Sequence, residues 1–174
     1  AIINIGTDEN AVIEGLKELL EQDPAVSQGW TQLAIAHVRN GDTKSALEVA
    51  NNWAQIDPVN GKMVEGVVLF KSNSTERAIS ALKAVLEIEP KQMGAHVYLL
   101  QAFSKLQQYE ALYNQAEQVL KLAPNNVLAL VSIAKAGQAL NKSKDADIVL
   151  TQMTVEDQDN ISAYVALALS ANLQ

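Results

Sequence analysis

The sequence predicts an all-α protein, an α-α superhelix of antiparallel helix pairs, and three observations carry that reading. Prolines recur at Pro24, Pro58, Pro90 and Pro124, at spacings of 34, 32 and 34 residues, each preceded by a similar apolar pattern. Internal repetition at such a period is the signature of a stacked repeat architecture. Of 174 residues, 48% are hydrophobic and only 5% aromatic, and Ala dominates the apolar set, which favours helix over strand. Within each period the apolar residues then fall three and four apart, the spacing of one helix face.

Taken in order, residues 10–22 place Val12, Leu16, Leu19 and Leu20 on one stripe, and Asp23-Pro24 ends that helix because proline forces its predecessor out of the α region. It reads as the second helix of a pair. Helix pairs follow at 26–40 and 43–56, 60–71 and 75–88, 92–106 and 109–122, and 126–140 and 143–154, with a last helix at 160–171. One array over 1–174 results: a half repeat 10–24, repeats 25–58, 59–90, 91–124 and 125–158, and a final unpaired helix in 159–174. Asn60, Asn126 and Asn160 stand where a side-chain oxygen can cap a helix start. Small residues mark the close approach of paired helices, Ala34 with Ala46, Val68 with Ala78 and Ala134 with Ala146, while the third pair has Leu100 and Leu112. The shorter 32-residue spacing is assigned to a two-residue loss in the turn 72–75.

The best copy runs Trp30, Leu33, Ala34, His37, Ala46, Ala50, Trp53, Pro58. This resembles the tetratricopeptide-repeat (TPR) signature, with Val64, His96, Leu130 and Tyr164 at the large first-helix place of the other units. The resemblance implies that first helices line a concave groove and second helices form the convex back. Candidate groove contacts are then Gln28, Thr31, Ile35, Val38 and Arg39 in the first full repeat, and Lys62, Glu65 and Leu69 in the second. The third contributes Val97, Tyr98, Gln101 and Lys105, the fourth Leu128, Val131, Lys135 and Gln138, and the last helix Val165 and Leu169. Many are apolar or amide, which suits a neutral or apolar protein segment. Thr31 and Ile35 stand where the family's carboxylate clamp for acidic chaperone tails has Lys and Asn, so that ligand is not expected. In style the alanine-rich repeats are similar to those of long bacterial envelope TPR proteins, including lipoproteins of exopolysaccharide and exosortase systems; a regulatory module of a larger protein is the other reading.

Chemistry for catalysis is sparse. There is no Cys, and His37 and His96 are each alone in their repeat at places that suit core packing. Acid pairs at Glu87/Glu89, Asp145/Asp147 and Asp157/Asp159 point in different directions on a helix. The tract 156–160 lacks the glycine and closing glutamate of a calcium loop and reads as a turn. Sequons at Asn73, Asn141 and Asn160 read as turn and cap residues. The expectation is a non-enzyme without cofactor or metal. A net charge of −7, with nine acids against three bases in 1–58, disfavours nucleic acid as partner. No run approaches the roughly 20 apolar residues of a membrane span, and the chain alone does not fix a compartment. Both ends of the array look cut from something longer, and their open faces are expected to favour self-association.

Overall fold

The computed structural model describes residues 8–172, with side chains described through 170. Among these residues every regular element is a helix: α1 (Glu9–Gln22), α2 (Ser27–Arg39), α3 (Thr43–Ile56), α4 (Pro58–Lys71), α5 (Thr75–Ile88), α6 (Met93–Lys105), α7 (Tyr109–Leu122), α8 (Val127–Ala139), α9 (Ser143–Glu156) and α10 (Ile161–Asn172). They group into two compact units, one ending at Pro90 and the other beginning at Lys91.

Every pair is joined by a three-residue turn of the same geometry. The middle residue has positive φ, at Gly41 (79°), Asn73 (64°), Gln107 (55°) and Asn141 (55°). The amide after it closes back on the helix, Asp42 N–H to His37 O (2.9 Å), Ser74 to Leu69 (2.8 Å), Gln108 to Phe103 (2.9 Å) and Lys142 to Gly137 (2.7 Å). This is the Schellman ending, which satisfies carbonyls the last helical turn leaves free. Asn73 and Asn141, two of the sequon residues, are therefore turn-forming residues, and the third, Asn160, is buried and accepts from Ala163 N–H at 3.0 Å. Asn126 likewise caps α8 through Ala129 N–H at 3.0 Å.

The shared turn corrects the register of the second pair. The two-residue loss lies at the preceding corner, not in the turn 72–75: one residue, Asp57, separates α3 from α4, whereas Asp23–Val26, Ala123–Asn126 and Asp157–Asn160 each supply four, and α4, with 14 residues against 13 in α2, α6 and α8, takes back one of the three. Asp57 serves both helices. Its amide donates to Trp53 O at 2.8 Å to end α3, and its carboxylate accepts from Asn60 N–H at 3.0 Å to start α4. Asp57 is thus the N-cap expected of Asn60, and Pro58 opens α4 instead of closing the helix before it, because a proline in the first helical position gives up only an amide that would stay unpaired. The corner is so tight that a Cβ at Gly61 would collide with the Ala54 backbone.

Counted back from the turn, Gly66, not Val68, takes the place of Ala34, Leu100 and Ala134. A Cβ there would meet Leu82 at 2.8 Å. Lys62, not Val64, takes the large-residue place of Trp30, His96 and Leu130. Both cores are apolar and helix-derived. In the first unit Trp30 stacks on Trp53 with centroids 5.3 Å apart, over Leu33, Ala34, Ala46 and Ala50. In the second, Leu99, Leu100, Leu112, Leu130, Ile133 and Leu150 are fully enclosed.

Candidate functional site

Within each unit the first helices pack side by side, α2 with α4 in one and α6 with α8 and α8 with α10 in the other, whereas their second helices meet no second-helix neighbour closely. The first-helix face is therefore the inner one. On α2 it carries exposed Gln28 and Arg39 and half-buried Thr31, Ile35 and Val38. On α6 and α8 it carries half-buried Val97, Gln101, Leu128 and Val131 with exposed Lys105, Lys135 and Gln138. Lys135 Nζ donates to Ser104 Oγ at 2.8 Å, tying α8 to α6 across this face. Val165 and Leu169 continue it on α10, both exposed.

Four expected contacts stand at other places in the repeat. Leu69 is only 2% exposed and belongs to a core cluster with Ala78 and Ala81, because the turn register puts it level with His37 and Phe103. Lys62 and Glu65 occupy the places of Trp30 and Leu33 and pair with each other, Nζ to Oε2 at 2.7 Å. They face α5 over a cleft of about 320 Å³ that also includes Arg77 and Ser80. Tyr98 holds the place that Val64 has in the first unit, where it packs toward α2 and α3; burial pushes the Tyr98 hydroxyl pKa up. Residues overlooked from sequence are Met63, level with Thr31, and Ser104, whereas Val67, level with Ile35, is buried. Aligning the positive-φ turn residues instead of the prolines would have found them.

In each unit a furrow runs between successive second helices. One, of about 250 Å³, runs between α1 and α3 over Trp30 and His37. The other, of about 360 Å³, runs between α7 and α9 over Leu120, Val149 and Met153. Both histidines serve structure. His96 is buried against Gln115 Nε2, which a neutral imidazole protonated on Nε2 can accept at Nδ1, and His37 Nδ1 lies 3.9 Å from Asp42 across its turn. The paired acids do likewise: Asp147 accepts from Ser170 Oγ at 2.6 Å. Asp157 and Asn160 both hold Asn125, at 3.0 and 2.6 Å, joining consecutive corners of the second unit. Among the described residues no group of three or more His, Asp or Glu side chains could hold a metal, and no helix is long and apolar enough to cross a membrane.

No protein-family model matches the sequence, and neither does any curated protein. Solved structures do match. The chain is similar to MamA from Desulfovibrio magneticus RS-1 (20% identity, TM-score 0.63, covering 88% of this chain and 89% of that one). It is also similar to TTC0263, a thermophilic TPR protein of Thermus thermophilus (16%, 0.61, 94% and 91%). A tetratricopeptide repeat protein from Parabacteroides merdae ATCC 43184 matches over 95% of this chain and 67% of its own (16%, 0.63). At these identities the likeness is one of fold, and it agrees with the repeated helix pair, the common turn and the packed first helices described above. The chain has the tetratricopeptide-repeat fold.

Proposed function

We propose that this protein is a non-enzymatic interaction scaffold that holds a segment of a partner protein on the inner face of its second unit. The observation that carries the reading is the surface joined by the Lys135–Ser104 bond. It sets the half-buried apolar side chains Val97 and Val131 beside the amides of Gln101 and Gln138, with Val165 and Leu169 beyond. Apolar area with hydrogen-bonding tips suits an extended or helical peptide. From Lys91 on, seven acids face six bases, so this unit repels an acidic segment far less than the first unit does. The structural neighbours share the fold, and a repeat fold of this kind offers a surface for binding, not a built catalytic pocket.

A photo-crosslinking residue at Val131 should capture the partner, and the same residue at Gln118 on α7 should not. Amide exchange of the complex should slow in α6 and α8. Equal capture from both positions, or protection confined to α7 and α9, would refute the inner-face reading.

A further inference from the structure

The sequence holds two Asn-Gly steps, Asn40-Gly41 and Asn60-Gly61, and every other asparagine is followed by a residue with a side chain. At such a step an asparagine reacts most readily with its own main chain. The nitrogen of the following residue must reach the side-chain carbonyl carbon, and a glycine puts no Cβ in the way. The two steps share one covalent chemistry, so the fold sets how far each can react.

Asn60 is locked. It lies in the first turn of α4, where its Nδ2 donates to Asp57 Oδ2 at 2.7 Å and its amide to Asp57 Oδ1 at 3.0 Å. The Gly61 amide, the nitrogen that would attack, donates to Asp57 O at 2.8 Å. Gly61 is buried against the Ala54 backbone, so turning its peptide plane toward the Asn60 side chain requires the one-residue corner to open.

Asn40 is placed differently. It is the C-cap of α2, with φ −77° and ψ 2°, and both it and Gly41 are exposed. A swing in ψ brings the Gly41 nitrogen to the Asn40 side chain. Two main-chain bonds oppose it, Gly41 N–H to Val38 O at 3.0 Å and Asp42 N–H to His37 O at 2.9 Å. So does one side-chain bond, Asn40 Nδ2 to Asn10 Oδ1 at 3.1 Å. No packing does: a Cβ added at Gly41 would meet nothing within 4 Å. Exposed turns open at the low end of local unfolding free energies, well below buried helix starts.

We infer that Asn40 is a site of spontaneous deamidation in the folded protein and that Asn60 is protected. The Gly41 nitrogen bonds to Asn40 Cγ as the Cγ–Nδ2 bond breaks, and Nδ2 leaves as ammonia with the proton that the Gly41 nitrogen gives up. The five-membered succinimide so formed takes up one water. Opening at Cγ leaves aspartate at position 40. Opening at the main-chain carbonyl leaves isoaspartate, whose main chain runs through Cγ and is one methylene longer. Either product removes the Nδ2 donor that ties the end of α2 to Asn10 of α1, and it adds negative charge to a unit with thirteen acids against seven bases. Isoaspartate also carries Gly41 out of register with Val38.

The test incubates the 174-residue chain at mildly alkaline pH, which favours attack by the main-chain nitrogen, once folded and once in concentrated urea. Pepsin digestion in acid stops the reaction, and the separated peptides are read by mass spectrometry. In the folded chain position 40 should gain the mass of an amide-to-acid exchange at least about tenfold faster than position 60, as paired aspartyl and isoaspartyl peptides. In urea the two positions should convert at similar rates. Asn40→Gln, which can close only a larger ring, should suppress the product at 40 and leave the rate at 60 unchanged. Folded-state conversion at 60 that equals or exceeds that at 40 overturns the inference, as does a position 40 that stays intact while the chain in urea converts. A preference for position 40 that persists undiminished in urea also overturns it, because neighbouring residues and not the fold would then set the rates.

Discussion

The two units solve the same packing problem with different corners. In the first, one residue joins α3 to α4, and that residue must end one helix and begin the next. In the second, four residues join α7 to α8 and four join α9 to α10, and Asn125 bonds to both Asp157 and Asn160 to hold those corners together. The short corner carries consequences into the helix: Gly61 stands where α6 and α8 have Ala95 and Ala129, and the Lys62–Glu65 ion pair takes the places of Trp30 and Leu33, His96 and Leu99, and Leu130 and Ile133. Charge divides as well, thirteen acids against seven bases up to Pro90 but seven against six beyond it. A deletion in a repeat protein is thus absorbed locally, by a glycine, a shared cap and a polar patch, and the pairing of helices survives.

The comparison breaks most severely at Leu69. If the turn register is right, Leu69→Ala removes a core side chain and costs about 2–5 kcal/mol by transfer and cavity terms, whereas Ile35→Ala on the inner face of α2 costs well under half as much. Chemical denaturation of both variants checks this, and equal costs would restore Leu69 to the inner face.

Next comes the corner itself. Gly61→Ala drives a methyl into the Ala54 backbone and should cost about 3 kcal/mol, at the upper end of overpacking penalties because backbone has little room to yield. The matched change Ala129→Gly should cost only about 1 kcal/mol, as expected for lost helix propensity. Similar losses at the two sites would mean the corners are equivalent after all.

A smaller effect distinguishes the turns. Gln107 adopts positive φ without being glycine, so Gln107→Gly should stabilise the second unit by about 1 kcal/mol, and Gly41→Gln should destabilise the first by a similar amount. Thermal melts of the two variants should therefore move in opposite directions.

The smallest effect is pH dependence at Asp57. Its carboxyl is held below the ordinary value of 3.8 chiefly by the Asn60 backbone amide and then by the Asn60 side chain. A depressed folded-state pKa means the stabilisation is complete above the unfolded value and is lost as pH falls through the folded one, so the loss lies below pH 3.8. Asp57→Asn keeps a capping oxygen but cannot titrate, and its melts should lack this acid-side component. An unchanged acid profile in that variant would assign the effect to other carboxylates.

Much of this was written in the sequence because it is local. Helix spacing, prolines at helix ends and asparagine caps act over a few residues, and α5 (Thr75–Ile88) and α7 (Tyr109–Leu122) begin and end where periodicity puts them. The repeated pair and the core places Leu33, Ala46 and Trp53 followed from the same signals. What the sequence could not assign was the register of α4, since a proline serves equally as the stop of one helix and the first residue of the next. Only the packed structure chose, because backbone contact at Gly61 and burial of Leu69 fix where the missing residues were taken from. The inner face was decided at the same level. Whether Lys62, Leu69 or Tyr98 reaches a ligand depends on which flank each neighbouring helix covers, and that is a property of tertiary packing that no single helix carries.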